Sequence, residues 1–125
     1  MVIDDLHLDR YTAQRNILKF NYASEVVLKD SADNALQYLK ELSATPKNLP
    51  QLIFLDIHMP KIDGFGFLDE YDKLPDAVKN NCSIIMLTDW VHLDDINRAK
   101  NNIYVDRFLS KPLDKSKLEE LITEN

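Results

Sequence analysis

The stretch that most constrains this chain is Leu52-Ile53-Phe54-Leu55-Asp56-Ile57-His58-Met59-Pro60. Four apolar residues in succession end on a single carboxylate, and a proline follows shortly after. A continuous apolar run bounded by turn residues reads as a strand buried on both faces, the kind found in the middle of a parallel sheet. Asp56 then stands where a central strand stops. Two readings are open for it: an Asp that merely opens a turn, or a polar group at the carboxyl edge of an open α/β sheet, where ligands bind.

The rest of the chain supplies the frame. Met1-Val2-Ile3 reads as a short strand before Asp4-Asp5, and residues 8–20 as a helix with Leu8, Tyr11, Ile17 and Leu18 on its inner side. Residues 25–29 form a second strand. Asp30 or Ser31 caps the next helix, whose Ala35, Leu36, Leu39 and Leu42 make a helical stripe. Pro46 and Pro50 bound a loop to which no function is assigned. After the third strand, Ile62-Asp63-Gly64 turns into a helix carrying Phe65, Leu68 and Tyr71, and Pro75 opens a short extra segment. Residues 82–87 form a fourth strand ended by Thr88-Asp89. The fourth helix turns Ile96, Ala99 and Ile103 inward, and residues 105–109 make the fifth strand. The last helix runs from Asp114 to Thr123 and buries Leu118, Leu121 and Ile122. Five strands alternating with five helices predict parallel strands joined by right-handed crossovers. The expected fold is a doubly wound α/β domain spanning residues 1–125, with a five-stranded parallel sheet in the flavodoxin-like order 2-1-3-4-5 and helices on both faces.

Composition excludes several classes. The net charge is -6 and no block of Lys or Arg occurs, so neither nucleic acid nor an anionic membrane is the expected partner. No apolar run is long enough to span a bilayer, and Asp4-Asp5 interrupts any signal peptide at once. The only glycines are Gly64 and Gly66, which rules out a glycine-rich phosphate loop. A single cysteine, Cys82, allows no internal disulfide and fits a reducing, cytoplasmic setting. Cys82 itself opens a core strand and reads as a small buried hydrophobe. Tyr11, Tyr22, Tyr38 and Tyr71 read as packing residues.

Parallel strands all end at one edge. That edge gathers Asp4, Asp5 and Asp56, with Thr88 and Lys111 beside them. Three carboxylates in one pocket repel: at about 4 Å and an effective dielectric of about 20, each pair costs on the order of 4 kcal/mol. A divalent cation resolves the repulsion, and hard oxygen ligands on a partly hydrated site suit Mg²⁺. A hydroxyl and an ammonium around a metal-bound carboxylate form a receptor for a phosphoryl group. Asp56 is then a candidate carboxylate nucleophile.

Here the chain resembles the receiver domain of two-component response regulators, most closely a stand-alone receiver. The matching elements are Ile3-Asp4-Asp5, Leu55-Asp56-Ile57-His58-Met59-Pro60, Asp63-Gly64, Leu87-Thr88, Phe108 and Lys111-Pro112, in order over essentially the whole chain. The resemblance implies that Asp56 accepts a phosphoryl group from a histidine kinase or histidine phosphotransfer protein. It implies Mg²⁺ ligation by Asp5 and Asp56 directly, by Asp4 through water and by the backbone carbonyl of His58. Lys111 and Thr88 would hold phosphoryl oxygens, Thr88 and Phe108 would switch inward together, and the Lys111-Pro112 bond would be cis. The face formed by the fourth helix, fifth strand and fifth helix would then change shape and meet a downstream protein target, or a second copy of the chain. The kinase would meet residues Leu6 to Arg10 and the loop after Lys111. Such a protein is not a turnover enzyme, although it catalyses its own phosphorylation and dephosphorylation. With nothing after the last helix, no output domain is expected in this chain.

Some residues depart from the family pattern. Asp89 stands where a small residue usually follows the switch threonine; it either points to solvent or raises the cost of a phosphoryl group nearby. Trp90 and His58 lie at the rim, where they would set the lifetime of the phosphorylated state by admitting or blocking water. His58 also reads as a plain solvated turn residue. The first strand is shorter than usual. Asp89 and Trp90 support a second reading, a receiver-like protein-binding module that does not signal by phosphorylation. A phosphohydrolase of the haloacid dehalogenase type would need a second Asp two positions after the nucleophile, where His58 stands.

Overall fold

The computed structural model describes residues 1–123. Strands β1 (Val2–Ile3), β2 (Leu28–Lys29), β3 (Leu52–Asp56), β4 (Ser83–Thr88) and β5 (Val105–Ser110) form one all-parallel sheet in the order β2-β1-β3-β4-β5. Helices α1 (His7–Lys19), α2 (Ala32–Glu41), α3 (Gly64–Tyr71) and α4 (Leu93–Lys100) make the four crossovers, and α5 (Lys115–Thr123) follows β5. The segment after Pro75 is a single helical turn, Asp76–Lys79, and the proline-bounded loop holds two 3₁₀ turns. The doubly wound architecture is as expected.

The apolar run of β3 divides by the period of two. Ile53 and Leu55 join one core with Ile3, Ala35, Leu39 and Phe67 beneath α2, α3 and α4. Phe54 points the other way, to Ala13, Ile17, Leu113, Leu118 and Leu121 beneath α1 and α5. A strand sandwiched this way has no solvent face, which is why it reads as uninterrupted hydrophobicity.

The ends of the elements follow from capping chemistry. Ser31, not Asp30, caps α2 by accepting from the Asn34 amide at 3.2 Å, while Asp30 accepts from the Asn34 side chain. Asp63 caps α3 through the Gly66 amide at 2.8 Å, and Asp114 caps α5 through Lys117. Helix α1 stops where Asn21 takes φ 56°, a left-handed conformation that Asn tolerates better than most residues.

Five apolar residues expected inside are not. Leu8 is 71% exposed, Tyr11 and Leu18 also face solvent, and Ile103 is 85% exposed. Only Ala13 and Ile17, one helical turn apart on α1, reach the core. Ile103 falls beyond the last residue of α4, where helical spacing no longer applies, and its neighbour Tyr104 packs edge-on against Tyr71 at 5.2 Å instead. Ile122 of α5 is likewise exposed. Cys82 is half-buried, and burial raises its thiol pKa.

Candidate functional site

Strand register builds the site. Ile3 pairs with Leu55, which sets Asp4 and Asp56 side by side where β1 and β3 end. Thr88 pairs with Ser110 across β4 and β5, and the Lys111 amide donates to the Thr88 carbonyl at 2.7 Å, so the lysine leaves the sheet beside the threonine. Residues far apart in the chain thus meet at one edge.

Asp4, Asp5 and Asp56 each offer a carboxylate oxygen to a cluster in which those oxygens lie within 4.8 Å of one another. Asp4 and Asp56 are buried. Asp4 Oδ1 accepts from the Leu6 amide at 3.0 Å, and its carbonyl accepts from Arg10, which ties the site to the first turn of α1. Asp5 Oδ1 is buried and has no hydrogen-bond partner. A buried carboxylate oxygen without a donor is expensive, and the Asp5 carboxylate lies in a cluster with two others. The donor set is all oxygen, so the cluster fits a hard divalent cation such as Mg²⁺.

The Lys111 ammonium stands against these acids. It donates to Asp4 Oδ2 at 2.7 Å and lies 3.1 Å from Asp56 Oδ1. It also donates to Asp9 Oδ2 at 2.7 Å. Burial works against the ammonium, but the bonds to Asp4 and Asp9 and the charge of Asp56 outweigh it and hold its pKa above the usual lysine value. Burial, together with the neighbouring Asp4, pushes the Asp56 carboxyl up to about 7 despite the pull of Lys111. Asp4 is raised as well, chiefly by burial, against its bonds from Lys111 and Leu6.

Asp9 is the contact that sequence reading misses. Alone, an acidic residue in the first turn of a helix signals nothing more than the helix dipole. Its meeting with Lys111 depends on α1 crossing beside the loop after β5, over a separation of 102 residues.

Around this centre, Thr88 is fully buried, and its hydroxyl donates to the Trp90 carbonyl at 3.0 Å while accepting from the Trp90 amide at 3.2 Å. Phe108 is half-buried against the core under α2–α4. The Lys111-Pro112 peptide is cis. His58 is exposed, its Nε2 3.8 Å from Asp95 Oδ2 on α4. Trp90 is 66% exposed and stacks on His92 at 5.0 Å. Asp89 is exposed and lines, with Asp9, Lys111 and the buried Val2, Phe54 and Leu113, a cavity of about 270 Å³. Gly64 packs directly under the end of β3: a Cβ there would stand 2.6 Å from the Asp56 carbonyl oxygen. Among the described residues no helix is long and apolar enough to cross a membrane.

The response regulator receiver domain family matches residues 1–123. A response regulator receiver protein from Dyadobacter fermentans is 31% identical in sequence, with a TM-score of 0.86 over 98% of this chain and 93% of that one. A two component response regulator from Cytophaga hutchinsonii is 27% identical, with a TM-score of 0.89 over 98% and 92%. The receiver domain of the histidine kinase CKI1 from Arabidopsis thaliana, in a crystal structure with Mg²⁺, is 25% identical, with a TM-score of 0.82 over 98% and 88%. Register, acidic edge and sequence likeness over nearly every residue agree: this chain belongs to the response regulator receiver domains of two-component signalling.

Proposed function

We propose that this receiver domain is a switch thrown by phosphorylation of Asp56. The observation that carries the reading is the Lys111 ammonium 3.1 Å from Asp56 and 2.7 Å from Asp4, beside an Asp5 oxygen that is buried without a partner. Asp5, Asp56 and the His58 backbone carbonyl would hold Mg²⁺, with Asp4 acting through water; the bound ion supplies positive charge that lets the carboxylates ionise together. Mg²⁺ in the CKI1 receiver supports that assignment.

An Asp56 oxygen attacks the phosphorus of the donor, the bond from phosphorus to the leaving atom breaks, and the leaving group keeps the electron pair. The donor is a histidine kinase or phosphotransfer protein. Lys111 donates to one phosphoryl oxygen. Thr88 exchanges its bonds with the Trp90 backbone for another, and Phe108 turns inward behind it. The chain promotes its own phosphorylation and hydrolysis and is not a turnover enzyme. His58 and Trp90, at the rim, govern how readily water reaches the acyl phosphate. Output is a protein contact on the α4-β5-α5 side, and Val91 and Leu93, before and at the start of α4, are exposed apolar groups.

The test is intact mass after incubation with acetyl phosphate and Mg²⁺. One added phosphoryl group is expected on the wild type, none on Asp56→Asn and none with chelator. No added mass on the wild type, under conditions that label another receiver, would sink the reading.

A further inference from the structure

Asp9 has no part in the phosphoryl-transfer reading, yet it touches the central cation of that site. A lysine ammonium has three N–H donors. In this structure the three carboxylates that face it are Asp4 at 2.7 Å, Asp9 at 2.7 Å and Asp56 at 3.1 Å. Asp4 and Asp9 take hydrogen bonds from it and Asp56 stands at ion-pair distance, so an arriving phosphoryl oxygen competes with these carboxylates for the ammonium.

The three are not equally free to give way. The Asp4 side chain is buried, and it also accepts from the Leu6 amide. Asp56 carries the phosphoryl group itself. Asp9 lies at the rim with its side chain 29% exposed, where water can take over from Lys111. Exchange is least costly there, because the released carboxylate is solvated rather than left buried. Asp9 also adds a negative charge to an edge that already holds Asp4, Asp5 and Asp56, and Asp89 lines the same cavity.

We infer that Asp9 is a positioning residue that clamps Lys111 in the resting site and must yield it to the phosphoryl group, so that it lowers the affinity of the site for phosphoryl while leaving the cation cluster intact. The inference rests on Asp56 being the phosphoacceptor. Removing the charge then has opposite effects on two ligands. A phosphoryl-like anion gains a free lysine donor and loses a repulsion. A cation at Asp4, Asp5 and Asp56 gains nothing and loses a distant attraction.

The experiment is calorimetric titration of the wild type, Asp9→Asn and Asp9→Ala, first with Mg²⁺ alone and then with beryllofluoride at saturating Mg²⁺. Asn is nearly isosteric and keeps an acceptor for Lys111; Ala removes the contact altogether. Asp9→Ala is expected to bind beryllofluoride about fivefold more tightly than the wild type, the scale of one unit charge acting across a partly solvated gap, and Asp9→Asn, which still accepts from Lys111, is expected to gain less. Mg²⁺ affinity is expected unchanged or weaker, and the gain is expected to shrink as salt is raised. A structural role for Asp9 would instead weaken both ligands together. Beryllofluoride binding by the wild type with no gain in either variant overturns the clamp alone. Failure of all three proteins to bind it overturns the phosphoacceptor reading and the clamp with it.

Discussion

Asp56 joins two demands that oppose each other. It must lie in a dry strand end to be held still, and it must ionise to react. Burial and the adjacent Asp4 push its carboxyl up to about 7 in the folded chain, against about 3.9 for a free aspartate. Between those values the folded state binds more protons than the unfolded one, so stability falls as pH rises from about 4 to about 7 and levels off above. Asp4, also raised, adds a fall of the same sign. In chelator, Asp56→Asn removes the Asp56 part of that slope. Urea unfolding is expected to show the variant little different from the wild type near pH 4.5 and more stable by about 2–4 kcal/mol at pH 8. Parallel pH profiles for the two proteins would show instead that Asp56 pays no electrostatic penalty on folding.

At the scale of elements, the end of β3 and the start of α3 are one mechanical unit. Asp63 caps the helix, the Gly64 amide donates to the Ile57 carbonyl at 2.8 Å, and Gly64 allows the helix to touch the strand. An Ala side chain at 64 would meet backbone, the Asp56 carbonyl oxygen at 2.6 Å and the Ile57 Cα at 2.9 Å, neither of which can rotate aside. Gly64→Ala is therefore expected to cost about 3 kcal/mol and to weaken Mg²⁺ binding by displacing Asp56. Gly66→Ala is the control. Its Cβ meets the Ile62 Cγ2 methyl at 2.9 Å, a side-chain atom rather than backbone, so its cost is expected to be smaller than that of Gly64→Ala. Equal costs at both positions in urea unfolding would refute the close-packing account. The same junction shows what is legible in a sequence. Asp56 and Gly64 stand out because an apolar strand and a glycine turn each carry a local signature. Leu8, Tyr11 and Ile103 misled, because period alone does not say which residues of a helix reach the sheet or where the helix has already ended. Asp9 was invisible for a related reason: its partner is set by how α1 passes the loop after β5, not by any spacing near it.

On the scale of the whole molecule, the sheet order gathers charge from ends of the chain that are distant in sequence. The net charge is -6, and much of what makes the folded state costly sits at one edge, where three carboxylate oxygens lie within 4.8 Å. Unfolding releases that repulsion by separating Asp4 and Asp5 from Asp56 and Lys111. A ligand that binds only the assembled edge must therefore act on the global equilibrium, by RT ln(1 + [L]/Kd). Mg²⁺ at a hundred times its Kd is expected to raise the unfolding free energy by about 2.7 kcal/mol. Asp5→Asn is expected to lose most of this increment, because the orphaned Oδ1 loses its charge and with it most of its value to a cation. Thr88→Ala, which removes a hydroxyl engaged only with the Trp90 backbone, is expected to keep the increment in full. Sodium chloride of matched ionic strength separates screening from binding: screening weakens the repulsion in all three proteins alike, whereas a bound ion discriminates between them. An equal Mg²⁺ increment in Asp5→Asn and the wild type would mean that the acidic edge is not where the ion binds, and that the buried oxygen of Asp5 is tolerated for some other reason.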